Sequence, residues 1–215
     1  MLNNFNALPN SGEFILLILS SPSGAGKTTL TAKLRERFAG LRFSVSHTTR
    51  SPRSNEQDGR EYHFVDRQRF EAMIAEDAFV EWAEVHDHLY GTSVQEIELA
   101  RTANDGVVFD VDFQGARQIR ARFPEAVTVF ILPPSLDELE RRLRNRASDS
   151  EASITKRLSA ALVEIQHYGF FDYMVVNDRL EEAAEQLRGI VMAERCRRQR
   201  RAHMAENMLR EAYRR

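Results

Sequence analysis

The stretch Phe14-Ile-Leu-Leu-Ile-Leu-Ser-Ser-Pro-Ser-Gly-Ala-Gly-Lys-Thr-Thr29 decides the fold. Its first part, 14–19, is an unbroken apolar run of strand length, which is typical of a strand buried on both faces of a parallel sheet. A small, glycine-containing segment follows, and from Leu30 onward apolar residues recur every four positions, as in a helix. The order of strand, glycine loop and helix predicts the first unit of an α/β protein.

The segment Ser21-Pro-Ser-Gly-Ala-Gly-Lys-Thr-Thr29 joins that strand to that helix. It resembles the phosphate-binding pattern G-x-x-x-x-G-K-[ST], in which backbone N–H groups and a helix N-terminus surround phosphate oxygens. Lys27 would reach the terminal phosphates of a nucleotide, and the Thr28 hydroxyl would bind Mg²⁺. Ser21 replaces the first glycine, which costs energy if that position needs a positive φ; we expect Pro22 and the two later glycines to keep the loop's shape. The alternative is a plain strand-to-helix turn.

Three further apolar runs of strand length alternate with segments of helical periodicity: 107–112, 126–132 and 173–176. Ser135, three residues before Glu138, is a helix-capping signature. From about 41 to 92 the chain is more polar, with short β-like pieces, which indicates an inserted lobe. Strands that alternate with helices predict a mostly parallel sheet with right-handed crossovers.

The composition bounds the class of protein. The 215 residues are 42% hydrophobic, and 30 basic residues nearly balance 32 acidic ones, which is typical of one folded domain rather than of a disordered chain. No apolar run approaches the ~18 residues of a membrane-spanning helix. The only cysteine, Cys196, excludes an intramolecular disulfide and a multi-cysteine zinc site. We therefore expect a cytoplasmic protein without a membrane partner.

Two arginines mark the inserted segment. Arg50 and Arg53 stand in Ser44-Val-Ser-His-Thr-Thr-Arg-Ser-Pro-Arg53, among hydroxyl side chains. Arginine binds phosphate in a bidentate manner, and hydroxyls complete the shell of oxygen partners. A solvated basic turn is the ordinary explanation of such a pattern. A chain with an ATP-type loop also needs an acceptor site, however, so the segment is interpreted as the acceptor's phosphate site.

Glu81 lies in the run Phe79-Val-Glu-Trp-Ala-Glu-Val85, which has strand character. If the odd positions face inward, its carboxylate stands among apolar side chains and needs a partner. The N1–H and N2–H donors of guanine match the two oxygens, whereas adenine has an acceptor at N1. In the opposite register Val80 and Trp82 are buried and Glu81 is in water, since a shift of one residue turns every side chain to the other face. Spacing alone leaves both registers open.

These segments together resemble the guanylate kinase family. The likeness extends from about Ile15 to Met192. Its motifs occur in the family's order: Ser21-Pro-Ser-Gly-Ala-Gly-Lys27, Ser44-Val-Ser-His-Thr-Thr-Arg-Ser-Pro-Arg53, Gly59-Arg-Glu-Tyr-His-Phe64, Phe79-Val-Glu-Trp82, Tyr90-Gly-Thr92, Asp110-Val-Asp-Phe-Gln-Gly115, Pro133-Pro-Ser135 and Ile154-Thr-Lys-Arg-Leu158. The resemblance implies transfer of the γ-phosphoryl group of ATP to GMP, and to dGMP, with Mg²⁺ as the cofactor of ATP. It places the protein in purine nucleotide metabolism and GMP recycling.

The resemblance implies a role for each matching position. The ATP-binding residues would be Ser21, Pro22, Ser23, Gly24, Ala25, Gly26, Lys27, Thr28, Thr29 and, near the adenine, Asn177. The ligands of the GMP phosphate would be Ser46, Arg50, Arg53, Tyr62 and Tyr90. Glu81 and Thr92 would bind guanine, with Asp112 as a further contact. Position 92 is often serine in the family. Mg²⁺ would be held by Thr28 and, through water, by Asp110. The catalytic cations would be Lys27, Arg50, Arg142, Arg146 and Arg157.

The same resemblance implies the architecture. We expect an α/β fold with a P-loop NTPase-type parallel sheet flanked by helices, an inserted mixed β/α GMP-binding lobe and a small helical lid. The single domain would span 1–215, with the core at 13–43 and 94–192, the lobe at 44–93, the lid at 144–158 and a basic helical extension at 193–215. Gly91 and Gly115 are expected to serve tight turns, and Trp82 to lie in the core.

Other interpretations stay open. A different nucleotide or ribose-phosphate kinase could share the ATP half, although the pair Glu81 and Thr92 argues against it. A non-catalytic relative could bind phosphopeptides instead, but such domains typically have degraded ATP loops, whereas Lys27 and Thr28 are present. The run Arg195-Cys-Arg-Arg-Gln-Arg-Arg201 is expected to be a solvated helix end rather than a nucleic-acid site. A homo-oligomer is compatible with the sequence.

Overall fold

The computed structural model describes residues 14–54, 56–85, 87–103, 106–145 and 151–214. Its strands are β1 (Ile15–Ser20), β2 (Leu41–Phe43), β3 (His47–Thr48), β4 (His63–Phe64), β5 (Phe79–Val85), β6 (His88–Ser93), β7 (Gly106–Asp110), β8 (Val127–Leu132) and β9 (Tyr173–Val176). Its helices are α1 (Lys27–Arg37), α2 (Arg67–Ala75), α3 (Val94–Ala103), α4 (Phe113–Arg122), α5 (Leu136–Arg144), α6 (Glu151–Ile165), α7 (Leu180–Arg195) and α8 (Arg198–Ala212). A short 3₁₀ helix at Tyr168–Phe170 precedes β9.

A parallel sheet of five strands forms the core, in the order β2-β7-β1-β8-β9. The central strand is β1, and all of its residues are buried, as expected for a strand covered on both faces. In register, Leu17 lies beside Val108 of β7 and Val127 of β8. The fold class predicted from the sequence is confirmed.

Helices cover both faces of this sheet. On one face α1 and α7 bury Leu30 and Leu187 against β1. On the other, α3 and α4 bury Ile97 and Ile119. The loop at 21–26 and Asp110 stand at the carboxyl ends of β1 and β7, the edge at which open α/β sheets bind their ligands.

A second, mixed sheet has the order β4-β3-β6-β5. Its strands β3 and β4 are parallel, whereas the pairs β3–β6 and β5–β6 are antiparallel. Helix α2 packs on this sheet through Phe70 and Met73, which contact Phe79 and Leu89 in a small core of their own. The four-stranded sheet is thus a separate lobe beside the parallel sheet.

A β-bulge in β5 settles which residues of that strand are buried. Between Phe79 and Glu81 the strand advances two residues while β6 advances one, so Val80 is the extra residue. Val80 is 2% exposed, within the main core, and Glu81 is 5% exposed. Trp82, expected in the core, is 40% exposed, because the strand behind the bulge turns its side chain outward.

Two glycines have a different role from the one expected. Gly91 lies inside β6 and Gly115 inside α4, so neither serves a turn. A Cβ on Gly91 would approach the Glu81 carbonyl oxygen to 3.0 Å, and one on Gly115 would approach Glu81 Oε2 to 2.9 Å. Both glycines therefore make room for the strand that carries Glu81.

The remaining predictions concern the second half of the chain. Ser135 caps α5, since its hydroxyl accepts a hydrogen bond from Glu138 N at 3.1 Å. Of the expected lid, residues 146–150 lie outside the described residues, and α6 starts at Glu151. None of the helices in the described ranges is both long and apolar enough to cross a membrane.

The arginine run near the C-terminus contacts the chain itself. Arg197 pairs with Glu194 at 2.8 Å. The Arg200 guanidinium donates to the Phe14 carbonyl oxygen at 2.6 Å. Arg201 donates to the Arg195 carbonyl oxygen at 3.1 Å. These contacts attach α8 to the domain, which favours the structural explanation of the run.

Candidate active site

The phosphate-binding loop takes its shape from two glycines. Gly24 and Gly26 have φ values of 95° and 92°, and of the described loop residues they alone have a positive φ. Ser21 adopts an ordinary backbone conformation, so serine causes no strain where the pattern has its first glycine. The Ala25 N–H donates to the Pro22 carbonyl oxygen at 3.1 Å. Helix α1 begins at Lys27 directly after the loop, with Thr28 and Thr29 exposed.

Asn177 and Arg142 support this loop from behind. The buried Asn177 amide donates from Nδ2 to the Ala25 carbonyl oxygen at 2.8 Å. Arg142 donates to the Asn177 carbonyl oxygen at 2.9 Å and is paired with Glu138 at 2.7 Å. A Cβ on Gly26 would lie 2.3 Å from Asn177 Nδ2, so only glycine fits there. Both residues expected on the ATP side therefore hold the loop in place.

Cations and oxygen ligands converge beside the loop. Lys27 Nζ lies 2.5 Å from Asp110 Oδ1 and 3.3 Å from the Val111 carbonyl oxygen. Arg157 donates to the Ser23 hydroxyl at 2.8 Å. Arg146, expected near these cations, lies outside the described residues. The structure thus brings Lys27 and Arg157 to the loop.

Mg²⁺ fits the residues present here. The Thr28 hydroxyl and the Asp110 carboxylate are hard oxygen donors at the carboxyl edge of the sheet, the type that Mg²⁺ prefers alongside nucleotide phosphates and water. Among the residues that the structure describes, no cluster of three or more His, Cys, Asp or Glu side chains could hold a metal. Thr28 and, through water, Asp110 thus stay the predicted Mg²⁺ ligands.

Sequence reasoning missed Glu164 of α6, which faces the loop. Burial raises the pKa of its carboxyl, while the positive charge of Lys27 and a hydrogen bond from Ser23 N–H lower it. Its Oε2 is buried without a hydrogen-bond partner. The helical spacing of α6 could not reveal this contact, because the loop lies more than a hundred residues away in sequence.

Three of the five residues expected to hold the GMP phosphate, Arg50, Tyr62 and Tyr90, lie together in the lobe. Arg50 Nη2 donates to both carboxylate oxygens of Glu56, at 2.8 and 2.9 Å. The same carboxylate accepts the Arg53 backbone N–H at 2.8 Å. The ring of Tyr62 packs under the Arg50 guanidinium, 5.5 Å from it, and 5.9 Å from the ring of Tyr90. A guanidinium beside two tyrosine hydroxyls is suited to a phosphate ligand.

Asp110 of the core acts electrostatically on Tyr62 of the lobe. Burial raises the pKa of its phenol, and the negative charge of Asp110 raises that pKa further. Asp110 therefore acts both on Lys27 of the loop and on the phenol of the lobe. Asp110 thus lies close enough to influence groups in both halves of the predicted site.

Glu81 points into the interior of the lobe, as one of the two predicted registers requires. Its Oε1 accepts a hydrogen bond of 2.7 Å from Thr92 Oγ1, which also lies 3.1 Å from Ser46 Oγ. Burial raises the pKa of Glu81 to about 7; the Thr92 bond opposes this, and the nearby Asp112 carboxylate adds to it. Asp112 itself caps α4, accepting the Gly115 N–H at 2.9 Å. Oε2, the other oxygen of Glu81, lies toward Gly115.

The parallel sheet and the glycine loop, with Lys27 at the start of the following helix, are typical of nucleotide-binding proteins of the P-loop class. A family model described as guanylate kinase matches residues 14–194. The chain belongs to the guanylate kinase family, whose enzymes phosphorylate GMP to GDP with ATP, and the resemblance seen in the sequence is confirmed.

Relatives and solved structures agree with this. The guanylate kinase of Dechloromonas aromatica (strain RCB) is 51% identical over 178 residues, 83% of this chain and 88% of that protein. The guanylate kinase of Geobacter sulfurreducens is 49% identical over 185 residues, 86% and 91% of the two chains. The crystal structure of guanylate kinase from Anaplasma phagocytophilum superimposes with a TM-score of 0.72 at 34% identity, covering 87% of this chain and 89% of that one.

Proposed function

We propose that the protein transfers the γ-phosphoryl group of ATP to the phosphate of GMP or dGMP and releases ADP with GDP or dGDP. The observation that carries this proposal is the buried Glu81 carboxylate, whose Oε1 is oriented by the Thr92 hydroxyl. A carboxylate in that position matches the paired N–H donors of guanine and opposes the N1 acceptor of adenine. The proposed contacts address the base and the phosphate, so the ribose 2′-hydroxyl is not required.

Two sets of residues hold the two nucleotides in this proposal. ATP binds the loop at 21–29, whose backbone N–H groups and helix N-terminus surround its phosphates. GMP binds through its phosphate to Ser46, Arg50, Arg53, Tyr62 and Tyr90, and through its base to Glu81, Thr92 and Asp112. Asn177 acts on the ATP side through the loop that its amide supports.

The chemistry requires charge stabilisation rather than a base. The phosphoryl group passes through a loose transition state with negative charge on its oxygens, and the attacking GMP phosphate oxygen is already anionic. Lys27, Arg50, Arg142, Arg146 and Arg157 supply the positive charge. Mg²⁺, held by Thr28 and through water by Asp110, would neutralise charge on the ATP phosphates.

The division of the chain follows from these roles. The segments 13–43 and 94–192 form the ATP-binding core, 44–93 the GMP-binding lobe, 144–158 the lid and 193–215 the basic extension of the single domain 1–215. Closure of lobe and lid would exclude water that hydrolyses ATP. The proposed setting is the cytoplasm, in purine nucleotide metabolism and GMP recycling, with ATP and GMP as partners and neither membrane nor nucleic acid required.

The experiment is an acceptor panel. Formation of ADP is measured with ATP·Mg²⁺ and GMP, dGMP, AMP or CMP. The metal control repeats the GMP assay with EDTA in excess over Mg²⁺ in the reaction mixture. Rapid turnover with GMP and dGMP alone supports the proposal. Equal turnover with AMP would contradict the role of Glu81 in selecting the base. Activity that persists in EDTA would contradict the role of Mg²⁺ in the reaction.

A further inference from the structure

The outer edge of β5 is held by a side chain of the core. β5 is the edge strand of the lobe sheet, and β6 bonds only its other side. The backbone of Trp82 faces outward, where its N–H donates to Gln118 Oε1 at 3.2 Å and its carbonyl accepts from Gln118 Nε2 at 2.8 Å. The carboxamide of Gln118 therefore replaces a neighbouring strand at this position.

Arg122, one helical turn further along α4, makes a second two-point contact. Its guanidinium donates to the Phe79 carbonyl oxygen at 2.8 Å and to Asp77 Oδ1 at 2.7 Å. Phe79 and Trp82 are three residues apart, and in a regular strand their backbone groups would face opposite edges. The bulge at Val80 turns both to the outer edge, so that residues four apart on α4 can reach them.

The face of α4 that makes these contacts also shapes the pocket of Glu81. Asp112, Gly115 and Gln118 follow at intervals of three and Arg122 follows four later, so all lie along one side of the helix. Gly115 provides the space for Glu81 Oε2, and the charge of Asp112 acts on the same carboxyl. Val80, which lies between Phe79 and Trp82 in the chain, packs into the main core.

We propose that Gln118 and Arg122 are positioning residues for guanine recognition. They fix β5 on α4 at both sides of Glu81, and thereby set the distance of its carboxylate from Asp112 and Gly115. This inference rests on the proposed function, in which Glu81 reads the base. Neither residue touches the nucleotide, so their effect reaches GMP through β5.

The inference predicts a kinetic signature. A displaced Glu81 weakens the binding of GMP by the same amount in the ground state and in the transition state. KM for GMP therefore rises, while kcat stays unchanged. The ATP loop is on a different part of the core, so KM for ATP stays as in the wild type. A purely structural defect would instead lower thermal stability and change both KM values.

The test compares methionine variants, which remove the hydrogen-bonding groups and keep an unbranched side chain of similar helix propensity. Gln118→Met, Arg122→Met and the double variant are measured beside Gln186→Met, an exposed glutamine on α7. We expect KM for GMP to rise about three- to tenfold in each single variant and further in the double one, with kcat and KM for ATP within about twofold. Arg122→Lys, which keeps one donor for the Phe79 carbonyl, should recover part of the loss.

Trp82 supplies a second readout, since it is the only tryptophan in the sequence. Quenching of its fluorescence by acrylamide should increase in Gln118→Met and stay unchanged in Gln186→Met. This measurement needs no activity and detects the strand directly.

The outcomes separate the two proposals. An unchanged KM for GMP in the double variant, with Trp82 quenching altered or not, overturns the inference, as does a parallel rise in KM for ATP. If a methionine variant does not fold, Gln118→Asn and Arg122→Lys are compared by the same criteria. Glu81→Gln is measured in parallel. If this variant leaves KM for GMP unchanged, the proposed base-reading role of Glu81 fails. If KM for GMP rises strongly in Glu81→Gln but not in the Gln118 and Arg122 variants, only the positioning role of Gln118 and Arg122 fails.

Discussion

The hydroxyl of Thr92 donates a 2.7 Å hydrogen bond to Oε1 of Glu81 across the pair of strands β5 and β6. Both side chains are buried, so this bond fixes the orientation of a carboxylate that has little water around it. An oriented, desolvated carboxylate discriminates strongly between ligands that can and cannot donate to it.

Glu81→Gln should raise KM for GMP by about 100-fold or more while KM for ATP stays within about twofold. The glutamine amide places an N–H₂ group where the two guanine donors need acceptors. Steady-state kinetics with each substrate varied in turn measures the change. Glu84→Gln is the matched control, because Glu84 is exposed on the same strand. An equal loss in both variants would contradict a specific role for Glu81.

The pKa of Glu81, raised to about 7 mainly by burial, predicts a pH dependence of GMP binding. The ionised carboxylate accepts the guanine donors, so GMP affinity should fall on going from pH 8 to pH 6 in the wild type. The affinity of Glu81→Gln should keep only the dependence that comes from the GMP phosphate, whose second pKa is about 6, so the wild type should fall more steeply than the variant. Isothermal titration calorimetry with GMP in the absence of ATP measures both curves, and a wild type that falls no more steeply than the variant would sink the assignment.

The same raised pKa predicts how stability of the free protein depends on pH. A carboxyl with a higher pKa in the folded state favours folding when protonated, so its contribution is present below the unfolded pKa near 4.5 and is lost as pH rises through about 7. The loss amounts to about 3 kcal/mol across that range. Urea unfolding of the wild type and of Glu81→Gln should therefore diverge between pH 5 and pH 8, and parallel curves would contradict it.

The sequence predicted the core strands and the loop because their signals are local. A run of apolar residues such as 14–19 marks a buried strand, and the glycine loop and its following helix stand next to each other in the chain. The register of β5 could not be predicted, because it depends on a bulge at Val80 that is defined by pairing with β6. The outward position of Trp82 follows from the same bulge.

The supporting residues of the site were beyond sequence reasoning for a different reason. Asn177 meets Ala25 across 152 positions, and Gln118 meets Trp82 across 36. Such pairings depend on how α4 and β9 pack against the sheet, and side-chain type alone does not specify them. The resemblance to the family located Asn177 on the ATP side, but the structure shows the contact through which it acts on the loop.

The phosphate loop yields a matched pair of substitutions. Ser21→Gly should leave kcat within about twofold, since residue 21 has no positive φ to relieve. Gly26→Ala should lower ATP affinity or destabilise the protein, because the new Cβ would meet Asn177 Nδ2 at 2.3 Å and the φ of 92° strains any L-residue. ATP titration and thermal unfolding of both variants measure this. A tenfold rise in kcat of Ser21→Gly would show instead that serine impairs the loop.

Lys27 offers the sharpest test of the charge-stabilising mechanism. Its ammonium group lies 2.5 Å from Asp110 at the start of α1, where it can move from that carboxylate to the phosphates of ATP. Lys27→Ala should lower kcat/KM by about 100-fold or more, because it removes a positive charge that stabilises the transition state. Lys33→Ala is the control on the same helix, since Lys33 pairs with Glu181 away from the loop. Circular dichroism should show both variants folded, so that a near-wild-type rate of a folded Lys27→Ala would remove this residue from the mechanism.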